Sequence, residues 1–158
     1  MVCLGNICRS PMAEGILKDL VKKKGLNWVV ESAGTNGYHT GEPPHPLSIK
    51  VAAEHGIDIS HQRAQDFVPS DFEKFDKIYA MASDVVDEIR YISGKKFNPA
   101  KLDLLMNVIE PGKNRNIPDP WSRPQAEYEK VFDMMERACK KLVATSPPAP
   151  LQRRGETL

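Results

Sequence analysis

Apolar residues recur along this chain in two periods, and the two alternate. Ala13, Ile16, Leu17, Leu20 and Val21 fall at i, i+3, i+4, i+7 and i+8, the stripe of an amphipathic helix expected over residues 10–24. Between such stripes lie short runs with strand character: Val2-Cys3, Trp28-Val29-Val30, Lys77 to Met81, and a segment within Leu102 to Ile109. Further helices are expected from Pro46 to His55 and from Ser83 to Ile92, stopped by Gly56 and near Gly94. Ser70-Asp71-Phe72-Glu73 is a capping-box pattern opening a short helix. Pro124 opens the last helix, with Tyr128, Val131, Phe132, Met135, Cys139 and Leu142 on one stripe. Alternation of strand and helix predicts an α/β fold: a four-stranded parallel sheet with helices on both faces. Ligands of such sheets bind beyond the carboxyl ends of the strands, and Cys3 stands at one of those ends.

Composition bounds the rest. A chain of 158 residues with 41% hydrophobic content builds one domain, here residues 1–144. Residues 35–46 carry Asn36, Gly37, Gly41 and three prolines, and are expected as a long loop. Residues 145–158 hold three prolines and little to bury, so they are expected as a disordered tail, or less often a Pro-rich ligand for a partner domain. A formal charge of +1 gives no bulk attraction to nucleic acid or to a membrane surface. No run has the length of a membrane span and no secretory signal is visible. Three cysteines without paired spacing suit a reducing cytoplasm. His39, His45, His55 and His61 make no ligand pattern with cysteine, so no metal and no cofactor is expected, and a monomer is the simplest state.

One run carries chemistry. Val2-Cys3-Leu4-Gly5-Asn6-Ile7-Cys8-Arg9-Ser10-Pro11 places five residues between a cysteine and an arginine, at the junction of a strand and a helix. The loop amides of Leu4, Gly5, Asn6, Ile7 and Cys8 can turn inward around an anion, reinforced by the helix N-terminus. Arg9 supplies a planar fork that binds two phosphate oxygens. The same field favours the thiolate of Cys3, the attacking species for a phosphate monoester. Gly5 and Asn6 tolerate positive φ, while Ser10 and Pro11 are suited to N-cap and first helical positions. A bare Cys-x5-Arg is also met by chance, as a buried cysteine before an ordinary cap. Asp119, stiffened by Pro118 and Pro120, is the candidate proton donor to the leaving oxygen, and then the base for water. Tyr38 and Trp121 sit in Gly/Pro-rich loops and are candidate aromatic walls for the pocket above the phosphate.

These residues resemble the low-molecular-weight protein tyrosine phosphatases. The Cys3–Arg9 loop resembles that family's phosphate-binding loop, and Asp119-Pro120-Trp121 resembles its acid loop. Glu31-Ser32-Ala33-Gly34-Thr35, Gly41-Glu42-Pro43-Pro44 and Gly56-Ile57-Asp58-Ile59-Ser60-His61 are similar to further family segments, over about residues 1–144. The resemblance implies hydrolysis of phosphotyrosine in protein substrates through a phospho-cysteine on Cys3. It implies a hydrogen bond from Ser10 to the thiolate, and a supporting network of Asn6, Ser32 and His61. It also implies a reversible Cys3–Cys8 disulfide; a plain buried Cys8 side chain is the alternative.

The chain departs from the family pattern in places. Only Met1 precedes Val2, where the family has several apolar residues completing a central strand. The expectation is a marginal sheet and a natural start upstream. Ala82 stands where the family often has Asp, and Tyr38 where Trp is usual nearby. Related functions on the same fold are arginine phosphatase, against which Ile7 argues, and arsenate reductase, whose extra redox cysteines are missing from Ala82 to Ile92. A non-catalytic phosphate-binding module is the reading from a different class.

Overall fold

The structure, a computed structural model, describes residues 1–146. Four short strands, β1 (Val2–Cys3), β2 (Ala33–Gly34), β3 (Ile78–Ala80) and β4 (Leu102–Leu104), form one sheet in the order β2-β1-β3-β4. All pairings are parallel: Val2 lies opposite Ala33 on one side and Ala80 on the other, and Ile78 opposite Leu102. The five helices are α1 (Arg9–Lys24), α2 (Pro46–Glu54), α3 (Asp71–Lys74), α4 (Ser83–Ser93) and α5 (Gln125–Ala144). The expected α/β architecture is present.

Two apolar clusters cover the two faces of the sheet. Met12, Ile16, Val51, Tyr128, Phe132 and Met135 join α1, α2 and α5 in the larger one. Phe67, Phe72, Ile78, Val85, Ile89 and Leu104 join α3 and α4 to the opposite face. Each fully enclosed large apolar side chain contributes on the order of 1.5–3 kcal/mol by leaving water. The first half of α1 is buried on every side, from Arg9 to Leu17, and the helix stops at Gly25 in the left-handed conformation. A loop that runs into so enclosed a helix has a rigid base.

Several local expectations give way to tertiary context. Trp28-Val29-Val30 is not a strand; β2 begins only at Ala33. The reason is pairing: β1 starts at Val2, opposite Ala33, so residues 28–30 have no neighbour to complete a ladder. Val29 is accordingly 75% exposed. Ser10 is not the N-cap of α1, which starts at Arg9 without a side-chain cap. Ser70 also makes no cap bond; Asp71 Oδ2 instead accepts from the Val68 amide at 3.0 Å. β3 and β4 are shorter than the apolar runs that announced them, and a 3-10 helix, Leu105–Val108, follows β4 directly. α5 ends at Ala144, and the expected tail from residue 147 onward lies outside the described residues.

Candidate active site

Cys3 ends the central strand, and residues 4–8 curl back into α1. Asn6 sits at φ 57°, the left-handed region that an asparagine adopts more readily than most residues. Gly34 makes room for this turn: a Cβ there would lie 2.8 Å from Leu4 O and 3.0 Å from the Gly5 carbonyl carbon. The loop carbonyls are taken by donors outside it. Leu4 O accepts from Thr35 N (2.8 Å) and Asn36 N (3.0 Å), Ile7 O from His45 N (2.8 Å), and Cys8 O from Ser48 Oγ (3.2 Å). With these carbonyls turned outward, the loop amides are the polar groups left to meet an anion in the cleft.

A directed chain of hydrogen bonds supports the thiol. The Gln65 amide N–H can only donate, and it meets Asn6 Oδ1 at 3.0 Å. That fixes the orientation of the Asn6 amide, so its Nδ2 donates to Ser10 Oγ at 2.7 Å and to Ser32 Oγ at 2.9 Å. Ser10 Oγ lies 2.9 Å from Cys3 Sγ. With a lone pair already engaged by Asn6, the Ser10 hydroxyl has its hydrogen free for a thiolate. Ser32 passes its own hydrogen to Glu14 Oε1 at 3.0 Å, and Lys18 closes the chain on Glu14 Oε2 at 3.0 Å. Asn6, Ser10, Ser32 and Glu14 are all buried.

Arg9 is buried, and its guanidinium spans two loops. Nη1 donates to Ile117 O at 2.9 Å, and Nη2 stands 3.8 Å from Asp119 Oδ2. Asp119 is half-exposed above the cleft and accepts the Trp121 amide on Oδ1 at 3.1 Å. The cleft itself, about 170 Å³, is lined by Cys3, the loop residues that follow it save Asn6, Arg9, Asn36, His39, Asp119 and Trp121. The three residues expected to carry the chemistry are therefore brought together.

The aromatic wall differs from expectation. Tyr38 points into solvent, 83% exposed, and does not line the cleft. His39 takes that place, its ring centroid 5.6 Å from that of Trp121 and its Nδ1 2.7 Å from Glu42 Oε2. Both residues lie in the turn of residues 38–41, which Gly37 enters at φ 68°. His61 also departs from expectation. It is exposed and outside the network, where Glu14 and Gln65 stand instead. Glu14 was legible in principle, since it follows Ser10 by four residues and so shares its helix face. Nothing in the sequence marks Gln65 or the Ile117 carbonyl.

Cys8 lies behind the loop with its Sγ 3.6 Å from Tyr128 Oη. Burial pushes its thiol up to about 12, so it stays protonated at neutral pH; Tyr128 is raised by burial as well. Cys3, Cys8 and Cys139 are all free thiols. His45 stacks on Tyr128 at 5.2 Å and meets Trp121 edge-on at 5.6 Å, joining the cleft wall to this layer. Burial lowers the pKa of His45, and its Nδ1 accepts the Leu47 amide at 3.0 Å.

Comparison with known proteins agrees with this geometry. The family model for low molecular weight phosphotyrosine protein phosphatase matches residues 1–154. The low molecular weight protein-tyrosine-phosphatase YfkJ of Bacillus subtilis is 36% identical over 146 residues, covering 91% of this chain and 92% of that protein. The human low molecular weight phosphotyrosine protein phosphatase is 38% identical over 142 residues, covering 88% and 89%. The crystal structure of YfkJ superposes with a TM-score of 0.83 over 91% of this chain and 90% of that one. Vibrio vulnificus Wzb in complex with benzylphosphonate gives 0.82 at 25% identity, over 92% and 95%.

Proposed function

This chain belongs to the low molecular weight phosphotyrosine protein phosphatase family, and we propose that within it Cys3 is the nucleophile, Arg9 the phosphate-binding fork and Asp119 the proton carrier. The observation that carries this division is the convergence of those three side chains on one cleft, with Ser10 Oγ 2.9 Å from the sulfur.

The Cys3 thiolate attacks phosphorus in line with the tyrosyl oxygen. The S–P bond forms as the P–O bond breaks, and Asp119 delivers its proton to the departing phenolate. The amides of Leu4, Gly5, Asn6, Ile7, Cys8 and Arg9 hold the three equatorial oxygens, and the Arg9 fork binds two of them. Asp119, now a carboxylate, takes a proton from water, which attacks phosphorus. The S–P bond breaks, the thiolate leaves into the Ser10 hydrogen bond, and phosphate is released. Trp121 and His39 flank the path by which an aryl phosphate reaches the loop. The benzylphosphonate complex of the Vibrio protein, a phosphonate with an aromatic ring one carbon from phosphorus on the same fold, supports an aromatic substrate for this site.

Phosphoproteins are the substrates that family membership implies, and phosphotyrosine is the residue this cleft is read to take. Buried free thiols accord with a reducing compartment such as the cytoplasm. Among the described residues no helix is long and apolar enough to cross a membrane. Parallel assays on phosphotyrosyl peptide, phosphoarginine and arsenate test the reading. Turnover of the first with capture of a phospho-cysteine on Cys3 is expected; preference for either of the others overturns it.

A further inference from the structure

Asp119 stands at the end of an exposed run, residues 111–116, which turns through Gly112 at φ 76° and Asn114 at φ 53°. The run meets the body of the protein at Ile117, which is fully buried. Ile117 N donates to Met81 O at 2.9 Å, and Ile117 O accepts from Arg9 Nη1 at 2.9 Å. Met81 N in turn donates to Val2 O at 3.0 Å. Met81 therefore joins β1, which ends in Cys3, to the segment that carries Asp119.

The side chain of Asn116 adds a further attachment. Its Oδ1 accepts from the Ser83 amide at 2.9 Å. A backbone N–H can only donate, so the oxygen is the atom that faces Ser83. Ser83 is the first residue of α4, and its amide is one of the donors a helix leaves without an internal partner. Ala82, at the N-cap, has no side-chain oxygen to offer and makes no cap bond. The acceptor comes instead from 33 residues downstream. Both residues are exposed, and a hydrogen bond open to water adds little to stability. What it adds is direction. Ile117 alone fixes a point about which the segment can pivot; Asn116 on Ser83 fixes the heading with which the chain enters Pro118. The proline ring holds φ, so that heading passes to Asp119. The Asp119 carboxylate is half-exposed, and its contact with Arg9 is a loose 3.8 Å, so its aim depends on the backbone beneath it.

We infer that Asn116 is a positioning residue for proton transfer, holding Asp119 over the departing oxygen by tying the acid loop to the N-terminus of α4. The inference rests on the reading of Asp119 as the proton carrier.

The test is kcat/KM for aryl phosphates of graded leaving-group pKa. The variants are Asn116→Ala, Asn116→Asp, Asp119→Asn, and Asn116→Ala combined with Ala82→Ser. Asn116→Ala should cost phenyl phosphate about tenfold, a part of the roughly 10²–10⁴-fold a general acid supplies. It should leave 2,4-dinitrophenyl phosphate nearly unchanged, so the leaving-group slope steepens. Asn116→Asp keeps an oxygen in place for the Ser83 amide and should keep the parent slope. Ala82→Ser gives α4 a cap of its own; added to Asn116→Ala, it should recover any lost Tm while the slope stays steep. A slope restored by Ala82→Ser overturns the inference, because the effect then runs through the helix. A steep slope in Asn116→Asp overturns it as well. So does a parent-like slope in Asn116→Ala where Asp119→Asn steepens it, a result that leaves the acid role of Asp119 standing. A uniform loss across the series in Asp119→Asn instead removes that acid role, and the inference with it.

Discussion

Asn6 and Ser10 are joined by a 2.7 Å hydrogen bond whose direction is set from outside the pair, by the Gln65 amide. One polar side chain in a left-handed turn thus decides which way the hydroxyl beside the nucleophile faces.

Ser10→Ala removes that hydroxyl without touching Arg9 or Asp119. The sulfur then leaves phosphorus without a donor, so breakdown of the phospho-cysteine slows more than its formation. A fall in kcat of about 10–100-fold is expected, the scale of one lost charge-stabilising donor. Rapid-quench kinetics should show more phospho-enzyme, and so a larger burst of phenol, than the unaltered protein gives. Loss confined to the first step would assign Ser10 to thiolate formation alone.

Cys3→Ser should end turnover while leaving binding of inorganic phosphate or vanadate measurable by calorimetry. Arg9→Lys should lower kcat/KM by about 10²-fold or more, because a point charge replaces neither arm of the fork between substrate and the Ile117 carbonyl. Residual activity near that of the parent in either variant would contradict the assigned roles.

Asp119→Asn keeps the shape of the loop and removes the proton. Phenols that leave readily as anions should lose little rate, and poor leaving groups should lose about 10²–10⁴-fold. The slope of log kcat/KM against leaving-group pKa is the readout. A uniform loss across the series would make Asp119 a support for the Trp121 turn rather than an acid.

Gly34→Ala places a methyl 2.8 Å from Leu4 O and 3.0 Å from the Gly5 carbonyl carbon, where backbone must yield. About 1–3 kcal/mol of stability should be lost, with a fall in kcat as the nucleophile loop shifts. Urea unfolding and steady-state kinetics on one preparation measure both. An unchanged kcat would mean that the loop tolerates displacement.

Alkaline pH should unfold the protein through its buried thiols. Burial raises Cys8 and Cys139 to about 12, against 9.0 for a free thiol. Between those values the unfolded chain loses protons that the folded chain keeps, so stability is full below pH 9 and declines as pH rises toward 12. Tm measured from pH 8 to 11 should fall, and Cys139→Ala should flatten part of the decline. A slope identical to that of the parent would place the sensitivity elsewhere.

The residues that converge on the cleft were more legible than their surroundings. Cys3, Arg9 and Asp119 could be read because spacing and backbone stiffness are local properties. Helix order was legible for the same reason, through the stripes of α1 and α5. What sequence alone missed depends on distant partners. Trp28-Val29-Val30 has strand composition but no neighbour opposite it. His39 lines the cleft where Tyr38 was expected, a choice between adjacent turn residues that composition does not decide. Glu14 and Gln65 fill the position expected of His61, which is exposed.

The bond from Arg9 to the Ile117 carbonyl spans 108 residues of chain. During synthesis Cys3 and Arg9 leave the ribosome well before the loop that anchors that arginine, and α5 follows later still. Until about residue 121 has emerged, no nascent chain holds both the sulfur and the acid. Catalytic power therefore arrives in one late step, with the closing of a long-range contact. A ribosome-bound or truncated product carries the whole Cys-x5-Arg signature and still lacks the enzyme.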